Sequence, residues 1–431
     1  MIRSVAAIST LLSGMGILLV GSGLLGLLIA LRGANEGFSG LTIGLLMSGF
    51  YVGYIIGARL CPRIIREVGH IRAFTAFAAS GAALSLAYGL VVDPVFWWVL
   101  RVLTGVSLIG IYMVIESWLN ERATTDRGQI FSVYMMVNLV AVALGQVLIL
   151  SRGARQPGLF CDGLHLVLHG PVADRAHTRR AAPADPHRAA VASAAVQDDP
   201  GRYRGGTGLG PGDRLFWSLG AVYARNLGLD DGQVAGFIVA AILGGATLQW
   251  PIGWLSDHFD RRHVLAGVGL GTAAALIALF LGGNARIELL TIKAFLFGGF
   301  SFTLYSLSVA QTHDRFSMSE VLEATKSLLM LHGIGAAIGP VLTGAAMTWT
   351  GAGFPIALAT MVLAMTIFTV ARIRIDPPVL AQDKTLFAPI EQTSAVAMDL
   401  DPRTPTVEPD PSDGPDTQHA PMSDTAEETI V

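Results

Sequence analysis

The sequence predicts an all-α membrane protein, and three observations support this class. Hydrophobic residues make up 52% of the 431 residues. Charged residues make up 14%, against about 25% in an average globular protein, and the mean hydropathy is +0.55. Apolar runs of about 20 residues, the length that crosses a hydrocarbon core of about 30 Å, recur in both halves of the chain. A water-soluble globular class is therefore excluded.

About ten apolar runs have the length of a transmembrane helix. The first run is too long, and too soon followed by others, to be a cleaved signal peptide. The runs lie near residues 5–32, 41–60, 72–92, 94–119, 129–150, 233–252, 264–283, 287–310, 324–348 and 354–372.

Basic residues at alternate turns predict the orientation, because Arg and Lys near helix ends are retained on the cytoplasmic side. Both termini are therefore predicted to be cytoplasmic. After Arg374 the chain is acidic and has no apolar period, which predicts a disordered cytoplasmic tail over residues 376–431. The basic turns carry Arg59, Arg63, Arg66 and Arg72, then Arg122 and Arg127, then Arg261 and Arg262, and then Arg315.

The two halves of the chain resemble each other at an offset of about 190 residues. A gene duplication in parallel orientation gives such a pattern. It predicts two similar helix bundles, over residues 1–150 and 215–375. The matched pairs are Gly105 and Gly298, Tyr112 and Tyr305, Asn138 and His332, and Gly145 and Gly339.

Two turns and two helices carry a resemblance to the major facilitator superfamily. GWLSDHFDRR is similar to that family's cytoplasmic loop signature, with its places held by Gly253, Asp257, Arg261 and Arg262. RVLTG at 101–105 resembles the family's fourth-helix motif, and GIGAAIGPVLTG at 333–344 resembles its glycine-rich helix motif.

The equivalent turn of the first half departs from the loop signature. Pro62 stands in place of the glycine and Arg66 in place of the aspartate. ESWLNERATTDRG, together with YMMV at 134–137, is similar to a bacterial branch of permeases whose substrate is unassigned.

The resemblance covers residues 5–150 and 215–375. It implies two six-helix bundles, nominally twelve transmembrane helices, related by an axis along the membrane normal. It also implies a multi-pass protein of the bacterial inner membrane that is not an enzyme and needs no cofactor. The expected partners are an unidentified small solute, the lipid bilayer and, in a coupled mechanism, a proton; neither nucleic acid nor a metal is predicted.

Residues 151–214 interrupt the helical pattern. Nearly all of 152–214 is Arg, Gly, Ala, Pro, His, Asp, Val, Leu and Gln, and Ile, Met, Lys and Asn are missing. Codons of the abundant residues begin, or can begin, with G or C, as in a GC-rich gene read one base out of register. We hypothesise two compensating frame errors that replace helix six, the central loop and the start of helix seven. An external domain is the alternative, but no apolar period is present to build its core.

Polar side chains within apolar helices are candidates for the solute or proton pathway. Arg101 resembles the family's motif arginine, which is implicated in proton coupling; the alternative is an arginine that extends to the outer interface. Glu116 is a carboxylate that can carry a proton, or else a residue that meets interfacial water near Arg122.

The matched pairs of the repeat are further candidates. Tyr112 and Tyr305, and likewise Asn138 and His332, are predicted to line a cavity between the bundles. The alternative is that each is a packed side chain whose polar group is satisfied locally.

Asp257 with Arg261 and Arg262 predicts a cytoplasmic gate whose charge partners change as the bundles rock. The alternative is a solvated turn with basic residues. A helix-packing motif with a kink at the proline is predicted from glycines at small-residue spacing. The motif consists of Gly335, Gly339, Pro340 and Gly344.

These residues predict a secondary active transporter or facilitator for a small solute, working by alternating access and with a proton as the candidate coupling ion. GTGLG at 206–210 follows no predicted strand, so a nucleotide-binding loop is not predicted. The alternative function is a non-transporting membrane sensor, or an inactive product of the frame errors. Solute flux into proteoliposomes separates the two.

Overall fold

The computed structural model describes most of the two predicted bundles. It covers residues 2–122, 127–148, 212–281, 286–315, 318–350 and 353–375, together with residues 379, 384, 385 and 387. The predicted frame-error segment therefore lies outside the described residues, except for its last positions from 212, and so does nearly all of the acidic tail.

The described residues form twelve α-helices, five in the N-terminal half and seven in the C-terminal half. An all-α fold is thereby confirmed. The helices are α1 (Ile2–Asn35), α2 (Gly40–Val68), α3 (His70–Ala87), α4 (Pro94–Arg122), α5 (Arg127–Val147), α6 (Gly212–Asn226), α7 (Asp231–His258), α8 (Arg261–Leu281), α9 (Ile287–Ser301), α10 (Thr303–His313), α11 (Met318–Trp349) and α12 (Gly353–Ile375).

Among the described helices, nine segments are long and apolar enough to cross a membrane. Helices α9 and α10 together provide one of them, Ile287–His313. The predicted span at 72–92 is not among the nine, because α3 ends at Ala87 and leaves the apolar residues that follow outside the helix. The remaining predicted spans each correspond to a described helix or helix pair.

The helices extend further at the basic turns than the sequence predicts. Helix α2 continues through Pro62 to Val68 and ends where Gly69 takes a φ of +84°, so one glycine separates it from α3. Helix α7 begins with a capping box between Asp230 and Gln233 that satisfies backbone N–H groups of its first turn. It continues to His258, so both signature turns are largely helix ends.

Close helix crossings are repeated in the two halves. In the N-terminal half α2 packs along α4, and the crossing leaves no room for a β-carbon at Gly53 or Gly105. In the C-terminal half α7 packs along α9, with the same restriction at Gly244 and Gly298. Small residues allow such close backbone approach in membrane helices. The predicted pair of pseudo-symmetric bundles is present.

Helix α6 has 15 residues, or about 22 Å at 1.5 Å per residue, which is short of a membrane span. Aromatic rings nevertheless anchor it in the C-terminal half. Phe216 contacts the rings of Phe237, Phe297 and Phe302, and Trp217 stacks on Phe302 at 5.7 Å between ring centroids. The short remnant that the sequence predicts is therefore an integral part of its bundle.

The apolar core is shared by the halves at one end of the molecule and is mostly separate at the other. The end that carries Asn35 and Thr348 is called the sealed end, and the end that carries Arg66 and Arg261 is called the basic end. At the sealed end one buried cluster joins helices of both halves. At the basic end the buried residues form a cluster mainly from the N-terminal half and a smaller one from the C-terminal half. The halves are thus closed against each other at the sealed end.

Candidate functional site

A pair of polar contacts connects α4 and α5 in the interior of the N-terminal half. The Tyr112 hydroxyl donates to Asn138 Oδ1 at 3.0 Å. One helical turn further along, the Tyr134 hydroxyl donates a short hydrogen bond to Glu116 Oε1. All four side chains are buried. The spacing of four residues on each helix therefore builds a ladder with two polar rungs.

The C-terminal half retains a contact at the position of the first rung. The ring of Tyr305 on α10 meets the ring of His332 on α11, with centroids 5.2 Å apart and planes at 61°. At the places equivalent to Glu116 and Tyr134 the chain has Val309 and Leu328, both buried. The second rung is therefore apolar in this half.

The two ladders lie at the boundary between the halves. Tyr112 and Tyr134 belong to the same buried cluster as Tyr305, Val309 and Leu328, although the cluster is otherwise formed by the N-terminal half. The repeat thus brings Tyr112, Tyr305 and their partners together around one central region. This region, with Glu116, Asn138 and His332, is the candidate pathway.

Arg101 lies closer to the sealed end and is enclosed by aromatic and thioether groups. Only 6% of the residue is exposed. Its Nη2 donates to Met47 Sδ at 3.3 Å, and its guanidinium carbon lies 4.8 Å from the centroid of the Phe50 ring. Tyr51 and Tyr88 are its electrostatic neighbours. Among the described residues, no ion pair includes Arg101.

At the basic end the predicted gate residues form a charge cluster. Arg261 Nη2 lies 2.9 Å from Asp257 Oδ1, and Arg261 Nη1 lies 2.8 Å from Asp314 Oδ1 and 2.9 Å from Asp314 Oδ2. Arg261 and Asp314 side chains are each only 1% exposed. The guanidinium therefore joins α7, α8 and the end of α10 through charge-assisted bonds.

Arg262 forms a separate pair. Its Nε and Nη2 donate to the two carboxylate oxygens of Asp260 at 3.0 and 2.6 Å. This hydrogen bonding from Arg262 holds the pKa of Asp260 below its ordinary value of 3.8, and desolvation opposes the shift. The two adjacent arginines of the signature therefore serve different carboxylates.

Helices α2 and α11 close the sealed end. The backbone N–H of Leu41 donates to Thr348 Oγ1 at 3.1 Å. Further along, Gly44 lies against the carbonyl of Pro340, where a β-carbon has no room, and Gly344 lies equally close to the start of α2. Two of the predicted packing residues thus face α2.

The other members of the packing motif are placed differently. A β-carbon at Gly335 would meet open space, and Gly339 is buried. Pro340 lies within a continuous α11. The sealed end also receives a bond from Arg225 Nη2 to Asn35 Oδ1 at 3.3 Å, which joins the two halves.

Tyr134, Asp314 and a segment beyond α12 contribute to the site although the sequence did not single them out. The spacing of four residues from Asn138 is the signal that would have indicated Tyr134. Asp314 has no such local signal, because it meets Arg261 from 53 positions away. Residues Lys384, Thr385 and Phe387 belong to the predicted disordered tail, yet they contact the gate. In the part of the chain that is described, no three His, Cys, Asp or Glu residues are grouped to hold a metal ion.

Comparison with known proteins finds similarity to the family that the sequence motifs resemble. The sequence profile of the Major Facilitator Superfamily matches residues 209–407. An uncharacterized MFS-type transporter, YcaD of Escherichia fergusonii, is 26% identical over 343 residues, covering 78% of this chain and 88% of that protein. An uncharacterized MFS-type transporter of Yersinia pestis is 25% identical over 356 residues, with the same coverage of 78% and 88%.

Solved structures with similar folds are transporters. The nucleoside transporter NupG superposes with a TM-score of 0.67 at 13% identity, covering 85% of this chain and 98% of that one. The D-xylose-proton symporter superposes with a TM-score of 0.66 at 14% identity, covering 89% and 100%. At these identities the likeness concerns the fold alone.

Proposed function

Because this chain belongs to the major facilitator superfamily, we propose that it moves a small polar solute across the bacterial inner membrane by alternating access. The chain is a multi-pass membrane transporter. The finer proposal is that its two halves rock about the central region and expose it to one side at a time. The basic end faces the cytoplasm in this proposal, and both termini lie there.

The observation that supports alternating access is the unequal contact between the halves. At the sealed end they share one apolar core and hydrogen bonds such as that of Leu41 with Thr348. At the basic end the C-terminal half adds only Tyr305, Val309 and Leu328 to the cluster of the N-terminal half, and its other buried residues form a separate small cluster. Such an arrangement is expected of a state in which the sealed end is closed and the cytoplasmic side is less tightly closed.

Paired cysteine accessibility tests this proposal. Ile43, 1% exposed, lies in the shared core, and Met330, 47% exposed, lies at the boundary of the halves near Arg59. Each is replaced by cysteine in a background where Cys61 and Cys161 are alanine, and maleimide alkylation rates are measured in proteoliposomes. A transported solute should change the two rates in opposite directions. Rates that always rise or fall together would contradict alternating access.

Flux into proteoliposomes separates the transporter from a sensor. Radiolabelled polar metabolites, beginning with nucleosides and pentoses, are offered with an inward proton gradient. A solute that raises the thermal midpoint of the protein but is never taken up would support the sensor alternative.

Glu116 is proposed as the proton carrier. It is a fully buried carboxylate at the boundary of the halves. The Tyr134 hydroxyl donates to it, and this hydrogen bond should be strongest when the carboxylate is ionised. Intramembrane carboxylates of this kind mark proton pathways. Arg101 is proposed to support the pathway by supplying a buried positive charge nearer the sealed end.

Glu116→Gln tests the proton-carrier role. It should abolish proton-driven accumulation of the solute but retain exchange of labelled for unlabelled solute, because exchange requires no net proton movement. Glu116→Asp should restore part of the accumulation. Accumulation that is unchanged in Glu116→Gln would contradict the assignment.

A further inference from the structure

Three described residues beyond α12 lie against the gate cluster at the basic end. We call residues Lys384, Thr385 and Phe387 the strap. Lys384 Nζ donates to the carbonyl oxygen of Phe259 at 2.6 Å. The ring of Phe387 belongs to the apolar contacts of the small C-terminal core, where it fills the space left by the missing side chain of Gly253.

The strap uses the same carboxylates as the gate arginine. The Thr385 N–H and hydroxyl donate to Asp314 Oδ1 at 2.9 and 3.0 Å. The Phe387 N–H donates to Asp257 Oδ1 at 2.9 Å, and Arg261 Nη2 donates to the Thr385 carbonyl at 2.7 Å. Each of these bonds involves a charged group, so together they hold the strap in place.

The opposite half presents cations at the same end. Arg59, Arg63 and Arg66 are exposed, and none of them forms an ion pair with another described residue. If the basic ends of the two halves approached each other, carboxylates of the C-terminal half would be their natural partners. While the strap is docked, its donors share Oδ1 of Asp257 and Oδ1 of Asp314 with Arg261.

We propose that the strap is an autoinhibitory latch: by covering Asp257 and Asp314 it opposes closure of the basic end and stabilises the state in which the sealed end is closed. This inference rests on the proposed alternating access. Release of the strap uncovers the two carboxylates and leaves Arg261 as their remaining partner, so that donors of the other half can compete for them. A latch of this kind shifts the equilibrium between the two access states by the ratio of its affinities for them.

Two shortened chains test the latch in the cysteine-free background. One ends after residue 387 and keeps the strap, and the other ends after residue 383 and lacks it. Loss of charge-assisted hydrogen bonds should shift the equilibrium by about tenfold or more. Alkylation of Ile43→Cys should therefore be about tenfold faster in the shorter chain, and alkylation of Met330→Cys slower. Equal rates in the two chains overturn the latch.

A substitution outside the strap provides an independent test in the full chain. In Gly253→Ala the new methyl group displaces the Phe387 ring, whereas Gly236→Ala on the same helix places a methyl group in open space. Gly253→Ala should reproduce the faster labelling of Ile43→Cys, and Gly236→Ala should not. Labelling that is the same in both variants overturns the proposal even if the shorter chain fails to fold.

A third variant distinguishes failure of the latch from failure of alternating access. Gly44→Val disrupts the contact of α2 with Pro340 at the sealed end without touching the strap. If Gly44→Val accelerates labelling of Ile43→Cys and slows that of Met330→Cys but strap removal does neither, the latch is wrong and alternating access stands. If neither change has an effect, both proposals are wrong.

Discussion

The two halves of the molecule are alike in the interior and different at the basic end. Gly53 and Gly105 set the crossing of α2 with α4 as Gly244 and Gly298 set that of α7 with α9. At the basic end, by contrast, the hydrogen bond of Arg66 within the described residues goes to the Pro62 carbonyl of its own helix, whereas the C-terminal half has a buried charge cluster under a strap. The close approach of helix backbones restricts the same positions to glycine in both copies of the repeat. A turn at the surface carries no such restriction, so it can differ between the copies.

The largest expected effect separates the two basic ends. Arg261→Ala removes a buried cation and leaves the buried Asp314 carboxylate without its cationic partner, which should destabilise the protein by about 3 to 5 kcal/mol. Arg66→Ala, which removes an exposed cation near the end of α2 at the place that Asp257 holds in the other half, should change stability by less than about 0.5 kcal/mol. The amount of monodisperse protein after heating in detergent measures both. Similar losses in the two variants would remove the distinction between the basic ends.

The next effect concerns the crossings and should be the same in both halves. Gly105→Ala and Gly298→Ala each force a methyl group into a neighbouring backbone, with an expected loss of about 1 to 3 kcal/mol. Gly26→Ala and Gly236→Ala are matched controls in open space, and they should be neutral or stabilising because alanine favours helix by about 1 kcal/mol. If only one of Gly105→Ala and Gly298→Ala is destabilising, the two helix crossings are not equivalent.

The first rung of each ladder should contribute a similar, smaller amount. A double-mutant cycle with Tyr112→Phe and Asn138→Leu should give a coupling of about 1 kcal/mol for the lost hydrogen bond. The corresponding cycle with Tyr305→Leu and His332→Leu should give about 1 kcal/mol for the ring contact. Stability is measured by thermal unfolding of each purified variant. No measurable coupling in one cycle would show that the repeat preserved the position but not the contact.

The smallest expected effect is a pH dependence confined to the C-terminal half. The pKa of Asp260 is lowered in the folded protein by Arg262, so its stabilisation is present above the unfolded-state pKa and is lost as the pH falls through the folded-state value. The pair is partly exposed, so the effect should be below about 1 kcal/mol. The midpoint of thermal unfolding should fall further between pH 7 and pH 3 in the wild-type protein than in Asp260→Asn. An equal loss would mean that Asp260 contributes no pH-dependent stability.

Features with a local or periodic signal were predictable from the sequence, and contacts between distant positions were not. Apolar runs located the helices because a bilayer fixes their length and composition. The repeat identified Tyr112 and Tyr305, and Asn138 and His332, as equivalent positions. In the structure, Tyr112 contacts Asn138 and Tyr305 contacts His332, each within its own half. The gate residues remain assigned by resemblance, with Asp257 and Arg261 in contact as the signature predicts.

The remaining features depend on tertiary structure. No pattern in the sequence connects Asp314 with Arg261, or Phe387 with Gly253, because the chain between each pair is folded through several helices. The extension of α2 beyond Pro62 was also unpredicted. Pro and the arginines that follow are typical of a turn, and the packing of this helix against α4 and α11 overrides that preference.

The contact between the halves at the sealed end has a consequence for how the gene can be divided. Leu41 with Thr348, Asn35 with Arg225 and the common apolar core join the halves without requiring a covalent connection. Helix α6 is likewise fixed by rings of its own half. Residues 1–148 and 212–431, produced together as separate polypeptides, should therefore copurify as one complex.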